Sequence, residues 1–449
     1  MARDLQRTYR GRAWREDDPD DRRGLHEVGR AERAVLIASL SCRPVEEADR
    51  LSEMTDLLST AGAEVVHRVV QHRDRPDPRL YLGKGRLDEL AEWVKENTPD
   101  LVASEGDLTA GQQRHLEDRL KIRVVDRTGV ILDIFALHAR SAEGKLQVEL
   151  AQMEYSYSRQ EGLWQHLERL GGGVGTRGPG ESQLESDRRM IRARMGVLRE
   201  RIAEVGKSRE TMREERMASA VTRVALAGYT NAGKSSLMNA LTGAQVDVND
   251  ALFETLDPTT RAFSQDGMKV LVSDTVGFIR HLPHQLVESF RSTLDEVRDA
   301  HLIVYVADAT EDDDGRAARA AAVEEVLDGI GADDVPRLLV LNKVDLLDTE
   351  DRDALVRRHP QAVMTSAVTG EGLDDVRERL MTAARARWER VEFEVPYSRG
   401  EVISAVYAHG RDVVQDAGPE GTTIRALMPP TDAARVRSLL SRPRGQPPR

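Results

Sequence analysis

The sequence predicts an α/β protein of several domains. Apolar strand-like runs alternate with helical stretches from Ala34 onward, the loop signature GYTNAGKS joins one such run to a helix at Gly228–Ser235, and a glycine-rich stretch, residues 171–180, splits a long helical segment in two. At 449 residues the chain exceeds one core, and a prior of ~150 residues per domain gives about three. A 40% hydrophobic and 32% charged composition fits packed cores beneath a solvated surface.

Taken in order, residues 1–30 mix both charge signs without the apolar core of a secretion signal, and read as a disordered tail. AVLIASL, AEVVHRVVQ, DLVASE and IRVVDR alternate with helical stretches near 45–61, 87–97 and 109–120, so residues 31–135 read as an N-terminal α/β domain with a small parallel sheet. Residues 136–220 read as a helical-hairpin linker. Leu146, Leu150, Met153, Tyr157, Leu163, Leu167 and Leu170 recur at helical spacing, GGGVGTRGPG breaks the helix, and Ser182 with Glu185 fits a capping box before a second helix. Residues 222–388 form the motif-bearing domain, and residues 389–440 a small C-terminal α+β module with a helix-like turn at EVISAVYAHG. Residues 441–449 read as a disordered tail.

Composition excludes several classes. The longest apolar run, LIVYVA, is far short of the ~20 residues that a membrane span needs. The lone Cys42 leaves no disulfide within the chain and no thiolate metal cluster, so we expect a cytoplasmic monomer without integral membrane association. A net charge of −12 argues against general affinity for nucleic acid, DNA included. The local exception is residues 177–199, where six arginines (Arg177, Arg188, Arg189, Arg192, Arg194, Arg199) face three acids (Glu181, Glu185, Asp187).

Residues 228–235 fit G-x-x-x-x-G-K-[ST] between the apolar run VTRVALAG and a helix beginning near Lys234. Gly228 and Gly233 let the backbone wrap a phosphate chain, whose charge meets N–H groups at a helix N-terminus. The loop assigns Gly228, Tyr229, Thr230, Asn231, Ala232, Gly233, Lys234 and Ser235 to nucleotide binding. Lys234 would reach the β and γ phosphates, and the Ser235 hydroxyl would bind Mg2+. VLVSDTVG then adds Asp274, Thr275, Val276 and Gly277 in a D-x-x-G pattern. Asp274 would hold Mg2+ through its water shell, and Gly277 would offer a backbone N–H to the γ phosphate.

LLVLNKVD contributes Asn342, Lys343, Val344 and Asp345. The Asp345 carboxylate can accept from guanine N1–H and the 2-amino group, whereas adenine would leave it unpaired, a mismatch worth factors of ~10⁴. Ser366, Ala367 and Val368 of SAVTG fit the loop whose backbone meets guanine O6. Between the first two motifs lies FETLDPTTR, from which Phe253, Glu254, Thr255, Leu256 and Asp257 join the nucleotide site. Thr255 is the choice for the threonine that completes Mg2+ coordination when the γ phosphate is present. Thr259 and Thr260 stay open on spacing alone. Lys234, Thr255 and Gly277 are the catalytic candidates.

These motifs in this order, with LFETLDPTTR, DTVGFI and the upstream RGPGESQLESDRRMI, resemble the HflX family of ribosome-associated GTPases over residues 31–390. The resemblance implies GTP and GDP as ligands, the large ribosomal subunit and its rRNA as partners, a role in splitting stalled ribosomes under stress, and Thr255 rather than Thr259 as the switch threonine. The arginine-rich segment would supply an rRNA contact. A GKG element at Gly83–Gly85 is family-like too, with Lys84 read first as part of a strand-to-helix turn.

Many GTPases carry a glutamine after D-x-x-G, but here Phe278 follows Gly277. An aromatic ring cannot orient water by hydrogen bonding, so we expect slow turnover alone and stimulation by a partner. Arg280, His281 and His284 are nearby but not favoured. Asn231 is open between a K+ ligand beside the phosphates and a loop-stabilising hydrogen bond. The alternative reading is a GTP-gated ribosome-assembly or RNA-modification accessory factor, and a third is a scaffold that binds GTP without turnover.

Overall fold

The computed structural model describes residues 31–170, 188–206, 221–243, 252–253, 259–265, 267–280 and 291–441. The glycine-rich segment, the Ser182–Glu185 capping box and both terminal tails lie outside them.

The first sheet is fully parallel, in the order β2-β1-β3-β4, from β1 (Glu32–Leu40), β2 (Ala63–His72), β3 (Leu101–Ser104) and β4 (Arg123–Asp126). Parallel neighbours need crossovers, which α1 (Pro44–Thr60), α2 (Lys84–Asn97) and α3 (Ala110–Leu120) supply. Helix α1 starts with proline in its first turn and Glu46 and Glu47 beside the N-terminal dipole. Thr109 and Gln112 close a capping box on α3. Lys84 opens α2, in keeping with the strand-to-helix reading of GKG.

Two helices follow. Helix α4 (Arg127–His138) was not foreseen from sequence, because RTGVILDIFALH is apolar nearly all round and offers no amphipathic period. It is buried because it lies between this sheet and the motif-bearing region. Helix α5 (Ala142–Leu170) then leads to a helix over residues 188–206. Leu150, Met195 and Leu198 form the core between them, and Tyr157 meets Arg188 and Arg192, as an antiparallel hairpin requires. At its base Asp126 is fully buried, N-caps α4 through Gly129, accepts from the Tyr155 hydroxyl at 2.6 Å and pairs with Arg159 of α5.

The second sheet has the order β10-β9-β8-β5-β7-β6. Its strands are β5 (Thr222–Gly228), β6 (Thr259–Gln265), β7 (Met268–Asp274), β8 (Leu302–Asp308), β9 (Arg337–Asn342) and β10 (Val363–Met364), with only β6 antiparallel to its neighbour. Strand β5 is buried along its whole length, and the chain leaves it toward β7 on one side and β8 on the other. Ligands bind at the carboxyl ends of strands where the order reverses in this way. The loops after β5, β7, β9 and β10 are those that carry the four motifs.

The third sheet is antiparallel, ordered β11-β13-β12, from β11 (Glu389–Pro396), β12 (Arg411–Ala417) and β13 (Gly421–Met428). Alternation along β11 sends Val391, Phe393 and Val395 inward against helices Gly400–His409 and Pro430–Ser441. EVISAVYAHG thus lies in the ten-residue helix Gly400–His409, with Gly410 as its C-cap. Strand β12 was also unforeseen, since this exposed segment lacks an apolar alternation.

Candidate functional site

Helix α6 (Lys234–Thr242) begins directly after Gly233, whose φ of 86° suits glycine. A Cβ on Gly233 would come within 2.3 Å of Asn342 Nδ2, and one on Gly228 within 2.2 Å of the Val306 carbonyl oxygen. Both motif glycines are therefore required by close approach. Lys234 is buried beneath the loop, donating from Nζ to the carbonyls of Gly228 (3.1 Å) and Tyr229 (2.9 Å). Burial lowers its pKa to about 8, with the Asp274 charge acting in opposition.

Ser235 Oγ donates to Asp274 Oδ2 at 2.6 Å, so two of the three residues assigned to Mg2+ from sequence meet. Among the described residues no group of three or more His, Cys, Asp or Glu side chains could hold a metal ion. Gly277 lies over the loop: a Cβ there would be 2.7 Å from Thr230 Cγ2 and 3.1 Å from Lys234 Nζ. The next residue, Phe278, is buried, and its backbone pairs with the P-loop through Phe278 N–H to Gly228 O (3.1 Å) and Thr230 N–H to Phe278 O (2.8 Å).

On the base side Asn342 holds three loops. Its Nδ2 donates to Ala232 O at 3.0 Å, while Oδ1 accepts from Thr365 Oγ1 (3.3 Å) and the Ala367 N–H (3.1 Å). Lys343 adopts φ 69° and its Nζ pairs with Asp308 at 2.8 Å. Asp345 sits on the 3-10 turn Val344–Leu346, which the Val344 N–H ties to Thr365 O. Ser366 is buried, its Oγ accepting from the Thr369 N–H at 3.0 Å, while Val368 is 86% exposed.

Several of the motif residues also make contacts within the fold. Thr275 donates to Leu226 O at 2.7 Å, and Val276 and Val344 are buried in apolar clusters. Phe253, assigned to the nucleotide from sequence, sets its ring edge-on to Phe135 of α4 at 4.7 Å, because burial of an aromatic ring favours that apolar interface. Glu254, Thr255, Leu256 and Asp257 lie outside the described residues, as do His281 and His284. Of the rivals to Thr255, Thr259 pairs with Asp274 in the β6–β7 ladder and Thr260 Oγ1 hydrogen-bonds Ser273 Oγ at 2.9 Å. Arg280 directs its guanidinium toward Asp49, 3.7 Å away on α1.

The arginine-rich helix is largely engaged within the hairpin. Arg194 and Arg199 pair with Glu149 and Glu154 of α5, and Arg188 Nε donates to the Tyr157 hydroxyl at 2.8 Å. The sequence missed the residues that join the site to the N-terminal sheet, Glu53 and Arg127, which lie in no motif.

Three family models match the chain: GTP-binding GTPase N-terminal over residues 48–136, GTP-binding GTPase Middle Region over 138–216, and 50S ribosome-binding GTPase over 223–343. A GTPase HflX from Caldanaerobacter subterraneus is 42% identical over 410 residues, covering 91% of this chain and 94% of the relative. The chain belongs to the HflX family of GTPases. A GTPase HflX from Escherichia coli is likewise 42% identical over 379 residues, covering 84% of this chain and 88% of its own. A crystal structure of SsGBP with GDP matches at 24% identity and a TM-score of 0.45, covering 79% of this chain and 98% of that one. GTP hydrolysis is the activity of the HflX family. No helix among the described residues is long and apolar enough to cross a membrane.

Proposed function

We propose that this HflX-family GTPase is a switch that binds the large ribosomal subunit in its GTP state, acts there to split or rescue stalled ribosomes, and is released by hydrolysis. The observation that carries this reading is the 50S ribosome-binding GTPase match over residues 223–343, the segment that contains the P-loop, Asp274 and Asn342. GTP would lie with its phosphates on Gly228–Ser235, its γ phosphate between Lys234 and the Gly277 N–H, and its base against Asp345. Mg2+ fits the oxygen donors of Ser235 and Asp274, already 2.6 Å apart. Thr255 would complete its coordination. Asn231, exposed and at φ 60°, is where a K+ ligand would be sought. The family-model boundaries at 136/138 and 216/223 support our division of the chain near residues 135 and 220.

The buried Phe278 favours partner-dependent turnover, since its phenyl ring has no hydrogen-bonding group to orient the attacking water. The experiment is pelleting of the chain with purified large subunits in a non-hydrolysable GTP analogue, in GDP and without nucleotide. We expect binding that depends on the analogue. Equal binding in all three conditions would defeat the switch reading.

A further inference from the structure

The loop after β8 carries none of the four nucleotide motifs, yet it reaches the base side of the site. Asp308 ends β8 and pairs in register with Asn342, the last residue of β9. One carboxylate oxygen, Oδ2, meets Lys343 Nζ at 2.8 Å. The other, Oδ1, accepts from the Thr310 N–H (2.9 Å) and from Thr310 Oγ1 (2.7 Å). Burial acts to raise the pKa of Asp308, but the bonds from Lys343 and Thr310 outweigh it and hold the carboxyl below its usual range. Glu311, three residues on, goes the other way, pushed up to about 7 by burial. Of the two carboxylates, Asp308 is therefore the one that stays ionised at neutral pH and can hold an ammonium.

Lys343 is pinned at both ends. Its backbone lies in the left-handed region at φ 69°, which residues with a Cβ rarely adopt, and the 3-10 turn holds it there through the Leu346 N–H to Lys343 O bond at 3.1 Å. Its Nζ is on Asp308. The methylenes between are thereby drawn into a fixed apolar strip in the turn that presents Asp345, and a side chain 27% exposed leaves one side of that strip open. A purine has apolar faces as well as a polar edge, and Asp345 can satisfy only the edge. Joining β8 to β9 does not call for the ion pair: the strands are paired along their length, and the Ala309 N–H to Asn342 O bond at 2.8 Å carries the ladder past Asp308. Partly exposed ion pairs add little stability.

We propose that Asp308 is a positioning residue for the nucleotide base: by holding Nζ of Lys343 it fixes the lysine stem as an apolar shelf for the ring whose edge Asp345 reads. This rests on the reading that places the base against Asp345. Asp308→Asn in the full chain removes the charge and keeps the shape. The Kd for GTP and for GDP, the single-turnover rate at saturating GTP and the melting temperature without nucleotide are measured together, with Asp345→Asn alongside.

The expected result for Asp308→Asn is binding about tenfold weaker for GTP and GDP alike, since the base is common to both. The saturated rate should stay within about twofold of wild type, and the melting temperature within about 2 °C. A merely structural pair would give the reverse, a lower melting temperature with Kd unchanged. Lys343→Met keeps an unbranched stem without the ammonium and should lose as much. The double variant should bind no worse than the weaker single variant, because the two residues act through one contact.

An unchanged Kd in folded Asp308→Asn would overturn the proposal, as would a double variant whose loss is the product of the two. If Asp345→Asn weakens GTP binding and Asp308→Asn does not, the role of Asp308 alone falls; if neither does, the base-site reading falls with it. Should Asp308→Asn not fold, Thr310→Val removes the hydroxyl donor to the same carboxylate and decides by the same Kd. A loss of about threefold supports the role of Asp308, and no loss overturns it.

Discussion

The two flanks of the phosphate loop are held by different means. On the base side, Asn342 binds Ala232, Thr365 and Ala367, all contributed by loops of the same six-stranded sheet. On the switch side, Tyr229 and Arg280 are tied to Glu53 and Arg127, which come from helices of the four-stranded sheet. The first arrangement is built within one sheet. The second joins the backbone after Gly277 to a neighbouring unit.

The comparison breaks first if the base side is not self-sufficient. Asp345→Asn exchanges an acceptor for a donor opposite guanine N1–H and the 2-amino group, so GTP affinity should fall by about 10²–10⁴ while xanthosine triphosphate gains. Competition binding with both nucleotides measures this, and retained GTP selectivity would remove Asp345 from the base site. Next in size is the apolar seam. Phe135 is fully buried and meets Phe253 edge-on, so Phe135→Ala should cost about 3–5 kcal/mol in denaturant unfolding. A loss under about 1 kcal/mol would mean that the seam does not join the two units.

Asn342→Ala sharpens the contrast at smaller scale. It removes a side chain that makes three hydrogen bonds, and nucleotide affinity should drop by about 1–3 kcal/mol in titration calorimetry. The Glu53–Arg127 pair should be untouched. The smallest effect lies at the other end of the GTPase sheet, at His301. Burial, then the Arg223 and Arg387 charges, lower its pKa from 6.5 to about 3. A depressed pKa means that the folded state favours the neutral ring, so its contribution to stability is present above pH 6.5 and is lost as pH falls toward 3. The stability gap between wild type and His301→Gln should be widest above that range and close in acid. A gap independent of pH would show that His301 stays paired when charged.

Sequence reading did best where chemistry imposes local spacing. The P-loop, Asp274, Gly277 and Asn342 are named by short motifs because phosphate and base contacts need fixed offsets along one loop, and the structure brings Ser235 to Asp274 and Asn342 to Ala232. The strand-and-helix alternation of the N-terminal sheet was legible for the same reason, through apolar periodicity. Helix α4 was not, since RTGVILDIFALH is apolar nearly all round, even at the exposed Leu137, and so carries no amphipathic period. Glu53 and Arg127 lie 74 residues apart and meet across α1 and α4, with nothing in either neighbourhood to mark them. The ring of Phe253, a residue the sequence places beside the nucleotide motif, packs edge-on against Phe135 of α4, a contact that no local spacing announces.

The central claim is that this GTPase turns over slowly by itself and is driven by the large ribosomal subunit. Its most direct test is the GTP hydrolysis rate at saturating GTP with and without purified large subunits, with Lys234→Ala as the blank. We expect strong stimulation that the variant abolishes, since Lys234 is the buried ammonium beneath the phosphate loop. Equal wild-type rates with and without subunits would contradict the account and separate this site from ribosomal control.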